Sequence, residues 1–126
     1  LDILDEMRTA ALIAKAASGD ASSLSAVEAL AMATLESARA LGLAAETGSI
    51  ETGKLADLAC VDLSSCNSQP VYDPVSQLVY AARADQVTDV WVAGRHQLNT
   101  GQLTGIDEAD LLARINEWRQ RIAQTQ

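Results

Sequence analysis

The hydrophobic period of this chain changes from helical to extended at one point, Gly48, and that change divides what the chain can fold into. Ahead of it, Leu4, Met7, Ala11 and Ala14 recur at spacings of three and four, which predicts one apolar helix face over residues 1 to about 17, while Asp5, Arg8 and Lys15 fall elsewhere. Ser18-Gly19-Asp20 breaks this helix. Ser25, followed three residues later by Glu28, forms a capping box, and Val27, Leu30, Thr34, Ala38 and Leu41 then line one face of a second helix that Gly42 stops. A second start at Thr34 would divide that run into two short helices. Residues 1–47 are therefore expected to be almost entirely helical. Composition points the same way: 48% of the residues are hydrophobic but there is no phenylalanine, so a core of alanine and leucine should pack helices closely through small side chains.

After Gly48 the period is two. Leu58, Cys60 and Asp62 alternate with Ala59, Val61 and Leu63, and near-continuous apolarity predicts a strand covered on at least one face. Ser64 to Pro70 is a polar loop. Asp73-Pro74 starts a helix, with Val75, Leu78, Val79 and Ala82 on its apolar face. Val87 to Val92 and Arg95 to Leu98 read as two strands joined tightly at Ala93-Gly94, and Thr100-Gly101 turns the chain again. Strand is thus expected only near 57–63 and 87–103. Asp107 caps a last helix with Leu111, Ile115, Trp118 and Ile122 on one face and Arg114, Glu117, Arg119 and Arg121 on the other.

Several function classes drop out on charge and composition. The net charge is −8 and the nine Lys and Arg are scattered, so the electrostatic footprint of a nucleic-acid partner is absent. No stretch approaches the roughly 20 apolar residues of a membrane span, and no charged leader precedes an apolar region, so no membrane partner is expected. Cys60 and Cys66 have neither a second cysteine pair nor a nearby histidine, which disfavours a zinc cluster or a disulfide framework and points to two reduced thiols of a cytoplasmic protein. Leu1 falls inside a helical pattern with no initiator methionine and no capping residue ahead of Asp2, so the chain reads as a piece of something longer.

The residues that could carry chemistry have plainer roles. His96 is the lone imidazole, placed in the returning strand of a hairpin, where a satisfied or exposed strand histidine is the expected role. Ser22, Ser23 and Ser25 precede a helix and have no histidine nearby in sequence; capping explains them better than nucleophilic catalysis. The carboxylate pairs Asp2 with Asp5 and Asp107 with Asp110 stand at helix starts, where the helix dipole favours anions. Gly48-x4-Gly53-Lys54 has the glycine and lysine spacing of a phosphate loop, but Leu55 stands where that motif needs a hydroxyl, and a strand follows instead of a helix. No catalytic residue, no metal ligand and no identifiable substrate-binding residue emerges. An independent acidic module, such as a carrier-like helical domain using Ser22 or Ser23 as an attachment point, is the alternative of another class, and the two β segments argue against it.

The stretch Gly48-Ser49-Ile50-Glu51-Thr52-Gly53-Lys54-Leu55-Ala56-Asp57-Leu58, with the short strand ending in Asp62, resembles the C-terminal signature of the amidohydrolase superfamily. Ala33 to Leu43 is similar to the helix that precedes the signature, and Val90-Trp91-Val92-Ala93-Gly94-Arg95 to its closing hairpin. Leu1 to Ala11 and Pro70 to Tyr80 are similar to the branch containing 5-methylthioadenosine/S-adenosylhomocysteine deaminases and triazine hydrolases. The resemblance covers the whole chain. It implies an α+β fragment: the last helices of a metal-dependent β/α (TIM-like) barrel over residues 1–47, the C-terminal part of a small composite β-sandwich domain over 48–106 with an inserted helix near 74–83, and a C-terminal helix over 107–126.

The resemblance also implies an activity: a zinc-type aminohydrolase, in which metal-activated hydroxide releases ammonia from a purine nucleoside thioether, with a triazine-type dechlorinase or deaminase as the alternative. The family's metal ligands, a His-x-His pair, two later histidines and an aspartate, match nothing in residues 1–126, so zinc or another divalent metal would be held elsewhere in the complete protein. Leu1 falls just beyond the strand bearing the metal aspartate, which leaves Asp2 and Asp5 to the following helix. The expected partners are the N-terminal barrel segment and a small-molecule substrate, and a homo-oligomer is compatible with this reading. Gly48 and Gly53 would supply backbone freedom where the chain re-enters the small domain, and Asp57 would satisfy nearby amides.

Overall fold

The structure is a computed structural model that describes residues 2–124. Three helical segments come first: α1 (Ile3–Ser18), α2 (Ala26–Ala31) and, after a π turn at Met32–Glu36, α3 (Ser37–Ala40). Strand β1 (Leu58–Val61), helix α4 (Pro74–Tyr80), strands β2 (Val87–Val92), β3 (Arg95–Asn99) and β4 (Gln102–Leu103), and helix α5 (Glu108–Ala123) follow. No described helix is long and apolar enough to cross a membrane.

Helix α1 does not run from residue 1. Asp2 is its N-cap, with extended backbone and a carboxylate that accepts from the Leu4 amide at 3.0 Å and the Asp5 amide at 3.4 Å, so the capping residue the sequence seemed to lack is Asp2 itself. Leu1 lies outside the described residues. Gly19, at φ +68°, closes the other end with a bond from its N–H to the Lys15 carbonyl. The capping box is present: Glu28 accepts from the Ser25 amide at 2.7 Å, and Ser25 Oγ accepts from the Glu28 amide at 3.4 Å. Beyond it, α2, the π turn and α3 form one helical run with no fresh cap at Thr34, whose hydroxyl donates to the Leu30 carbonyl at 2.7 Å.

The core is built from small residues. Leu4, Met7 and Ala11 of α1, Ala26 and Ala29 of α2, and Val79 and Ala82 at the end of α4 form one buried cluster, with Val79 its largest fully buried side chain. Close approach through alanines substitutes for bulk. The apolar face of α4 is as the sequence indicates, but the buried stripe of the second helical run agrees only in part: Ala38 is buried and Leu30 packs against the core as expected, whereas Val27 and Leu41 are exposed and Ala26 and Ala29 point inward. Close contact between the helices selects the alanines. Arg8 ties α1 to α4, with Nε donating to the Tyr80 carbonyl at 3.0 Å and Nη2 to the Ala82 carbonyl, so a cation satisfies the carbonyl end of a helix.

The four strands form one antiparallel sheet in sequence order, β1-β2-β3-β4. Strand β1 stops at Val61 instead of reaching Leu63, because the register slips between Cys60 and Val61 and the Asp62 amide turns to the Gln86 carbonyl at 2.8 Å. Ala59 and Cys60 are exposed, so the middle of this strand is uncovered within the described residues. Gln86 also pins the polar loop, donating through Nε2 to the Asp62 carbonyl at 2.8 Å and to the buried Ser68 hydroxyl at 2.7 Å. Helix α5, capped by Asp107, has no buried residue; the last two of the twenty residues assigned to the C-terminal helix lie outside the described part.

Candidate functional site

The glycine-rich stretch is a structural joint. Gly48 stands at φ +91° and its Cα lies against the π turn: a Cβ there would fall 2.7 Å from the Ala38 Cβ and 3.1 Å from the Leu35 Cα. From this joint the chain runs to Asp57, whose carboxylate accepts from the Ala93 amide in the β2–β3 turn at 2.6 Å and from the Thr47 hydroxyl at 2.9 Å. The Gly94 amide donates to the Ala56 carbonyl at 3.0 Å, doubling the tie. The Ala93 amide, then the Thr47 hydroxyl, hold the Asp57 carboxyl below the usual aspartate range. Lys54 turns inward on its own loop, with Nζ 2.6 Å from Ser49 Oγ and 3.3 Å from Glu51 Oε1. Ser49, Glu51, Lys54 and Asp57 of the signature are thus engaged within the loop or by the hairpin.

His96 has partners that its own neighbours in sequence do not reveal. Its Nε2 lies 2.9 Å from Asp89 Oδ1, and its ring stacks on Trp91 with centroids 4.4 Å apart and planes within 8°. An ionised carboxylate only accepts, so Nε2 carries the proton. The Thr88 side chain first, then the His96 ring and the Thr100 amide, hold Asp89 below its ordinary range against the opposing cost of desolvation. This is a histidine–carboxylate pair without a nucleophile. Thr104, whose hydroxyl comes close, donates to the His96 backbone carbonyl at 2.6 Å and not to the ring. The signal for this cluster was in the hairpin: Asp89 and Trp91 share a face of β2, and the turn at Ala93-Gly94 sets His96 opposite Trp91.

The other candidates stay apart. Ser22 donates to Asp20 at 2.7 Å, Ser23 Oγ is 2.7 Å from Ser18 Oγ, and Ser25 caps α2. Asp5 pairs with Arg8 at 3.2 Å and Asp110 with Arg114 at 4.0 Å, each beside its capping partner, Asp2 or Asp107. Asp2, Asp5, Arg8, Arg83 and Asp85 line a shallow polar hollow in which charges of both signs are interleaved, so it offers no concentrated field to a ligand. Cys60 and Cys66 are free and exposed. Among the described residues, no three His, Cys, Asp or Glu side chains converge as a metal site.

Residues 1–96 match the amidohydrolase family. A 5-methylthioadenosine/S-adenosylhomocysteine deaminase of Teredinibacter turnerae is 40% identical over 97% of the chain, and one of Moorella thermoacetica is 43% identical over 93%. The chain spans 28% and 27% of the length of these relatives. Among solved structures, a zinc-bound adenosine deaminase from Xanthomonas campestris superposes with a TM-score of 0.92 at 50% identity, over 96% of this chain and 28% of that one. The zinc complex of atrazine chlorohydrolase from Arthrobacter aurescens superposes with a TM-score of 0.82 at 31% identity, over 90% of this chain and 25% of that one.

Proposed function

The chain belongs to the amidohydrolase family, and on that premise we propose that it is the C-terminal portion of a metal-dependent aminohydrolase that releases ammonia from 5-methylthioadenosine, S-adenosylhomocysteine or a related purine nucleoside. The observation that carries this reading is identity of 40% spread over 97% of the chain to a relative of that name. Residues 1–47 supply the last helices of a β/α barrel, residues 48–106 the C-terminal part of a small β domain with α4 inserted, and residues 107–126 a terminal helix.

The residues present do not fit a zinc site. No convergent ligand set exists among those described, and the one imidazole places Nε2 on Asp89 and its face on Trp91. Metal binding and the chemical step therefore belong to a preceding barrel segment. The work of this chain in the proposed enzyme is mechanical: Arg8 and the alanine core hold the helices together, Gly48 seats the crossing loop on the π turn, and Asp57 locks that loop to the hairpin.

The test is an ammonia-release assay on the complete protein with 5-methylthioadenosine, S-adenosylhomocysteine and adenosine. Turnover of at least one thioether, lost on chelation of the metal, is the expected result; no ammonia from any of the three would overturn the reading. The likeness to the atrazine chlorohydrolase favours a second reading, a triazine-type ring as substrate, and chloride or ammonia release from a chlorotriazine separates the two.

A further inference from the structure

Two cations on α1 hold one tyrosine. Arg8 and Lys15 stand about two turns apart on the same face of the helix. Arg8 bonds the Tyr80 carbonyl, whereas the Lys15 ammonium lies over the Tyr80 ring, 5.7 Å from its centroid. Lys15 has a second and stronger set of partners. Its Nζ donates to the Ser23 carbonyl at 2.6 Å and to the Leu24 carbonyl at 2.9 Å, both in the connection between α1 and α2.

The connection is arranged around that ammonium. Leu24 stands at φ +49°, a conformation that a bulky L residue rarely adopts, and its side chain packs against the core. The neighbouring amides are committed to other acceptors: the Ser22 amide donates to the Asp20 carboxylate at 2.8 Å, the Ser23 amide to the Asp20 carbonyl at 3.1 Å, and the Ser25 amide to the Glu28 carboxylate at 2.7 Å. Among the described residues, no backbone amide reaches the Ser23 or Leu24 carbonyl, so Lys15 is the donor the chain gives them. Two carboxylates strengthen the field. Asp20 and Glu28 are held below their ordinary range first by Ser22 and Ser25 respectively, and in smaller part by the charge of Lys15.

We propose that the Ser23 and Leu24 carbonyls and the face of Tyr80 form a binding site for a primary ammonium group, which this chain fills with its own Lys15 and which takes a free alkylammonium ion when the lysine is cut back. The turn's own hydrogen bonds hold the two carbonyls in place without help from the lysine, so a free ion meets a pre-formed site. A compact ammonium with three donors suits two converging carbonyls and an aromatic face; a neutral side chain leaves both acceptors unpaired.

The experiment uses the complete protein and reads hydrogen exchange by mass spectrometry in peptides covering residues 19–31 and 74–82. Lys15→Ala removes Cγ, Cδ, Cε and Nζ, which propylammonium replaces atom for atom. In Lys15→Ala, exchange should quicken by about tenfold or more over 19–31, where two charge-assisted bonds are lost, and by about threefold over 74–82, where the cation on the ring is lost. Propylammonium chloride should restore most of this protection with a saturating dose, and propan-1-ol or tetramethylammonium chloride at equal concentration should not. The parent protein, its site already filled, should be indifferent to all three. Lys15→Met keeps the stem and loses the charge, so it serves where the alanine variant does not fold; ammonium chloride should protect it more than tetramethylammonium chloride does. Exchange unchanged in both variants, rescue no better than with propan-1-ol, equal protection from every salt, or a parent protein protected as much as the variant would overturn the proposal. None of these readouts depends on which substrate the enzyme takes.

Discussion

Gly48 faces Ala38 across a gap that leaves no room for a side chain: a Cβ on the glycine would sit 2.7 Å from the alanine's. The position also has φ +91°, a conformation that L side chains rarely adopt. Strain and overlap act together there, so Gly48→Ala is expected to destabilise the complete protein by about 2–4 kcal/mol. Gly53 has a comparable φ of +95° but open space around it, so Gly53→Ala should cost only the backbone part, about 1–2 kcal/mol. Chemical denaturation of the two variants side by side checks the difference; equal losses would remove the steric argument.

Asp57 should make stability depend on acid. Its folded-state pKa is depressed, first by the Ala93 amide and then by the Thr47 hydroxyl, so its contribution is present above the ordinary aspartate value of about 3.9 and is lost as pH falls through the folded value. Asp57→Asn should therefore lower the denaturation midpoint near neutrality, with the gap from the parent protein closing in strong acid. Asp20, Glu28, Asp62, Asp73 and Asp89 are depressed in the same direction, which is why the difference between the two proteins is the quantity to follow.

Arg8→Met keeps the aliphatic stem but leaves the Tyr80 and Ala82 carbonyls without their cation. Loss of about 2–3 kcal/mol is expected, in line with charge-assisted hydrogen bonds at a helix end. Arg8→Lys should recover only part, because a point charge cannot reproduce the planar two-carbonyl bond. Full recovery by lysine would reduce the role of Arg8 to simple charge.

His96→Ala is expected to leave metal content and turnover of the complete protein within about threefold of the parent, while changing Trp91 fluorescence through loss of the stacked ring. A fall of a hundredfold in properly folded protein would place the imidazole in the chemistry after all.

Residues 1–126 made alone should bind no stoichiometric zinc and release no ammonia from an adenosine thioether, because they contain no convergent ligand set among the described residues. Metal analysis of the purified chain, with the complete protein as reference, decides this.

Most of the architecture was legible because it rests on local chemistry. The caps Ser25, Asp73 and Asp107 and the Ala93-Gly94 turn each act over a few residues, and each appears where the sequence puts it. The helical content expected of residues 1–47 was too high: helix ends at Ala40 and strand begins only at Leu58, so Gly48 lies within a run of turns between them instead of marking a direct change from helix to strand. What sequence reasoning missed depends on contacts between distant segments. The helical spacing put Val27 and Leu41 on the buried face with Ala38, yet close helix packing chose Ala26 and Ala29 beside Ala38. Arg8 falls off the apolar face of α1, and nothing local shows that its guanidinium reaches carbonyls more than seventy residues away. For His96 the position was right and the partners were not seen, since naming Asp89 and Trp91 requires the hairpin register as well as the strands.

The π turn at Met32–Glu36 sets a rule about length. Its wider turns take in one residue more than an α-helix would, and the Ser37 hydroxyl closes the gap by bonding to the Met32 carbonyl. An extra residue absorbed in this way leaves the following turn on the face an uninterrupted α-helix would give it, so deleting a single residue within the π turn should restore ordinary winding and keep Ala38 against Gly48. A deletion in α2 or α3, with no wide turn to take it up, would instead rotate the residues that follow by about 100° and turn Ala38 away from the glycine. The π turn is therefore the one place in this helical run that tolerates a change of length by one residue.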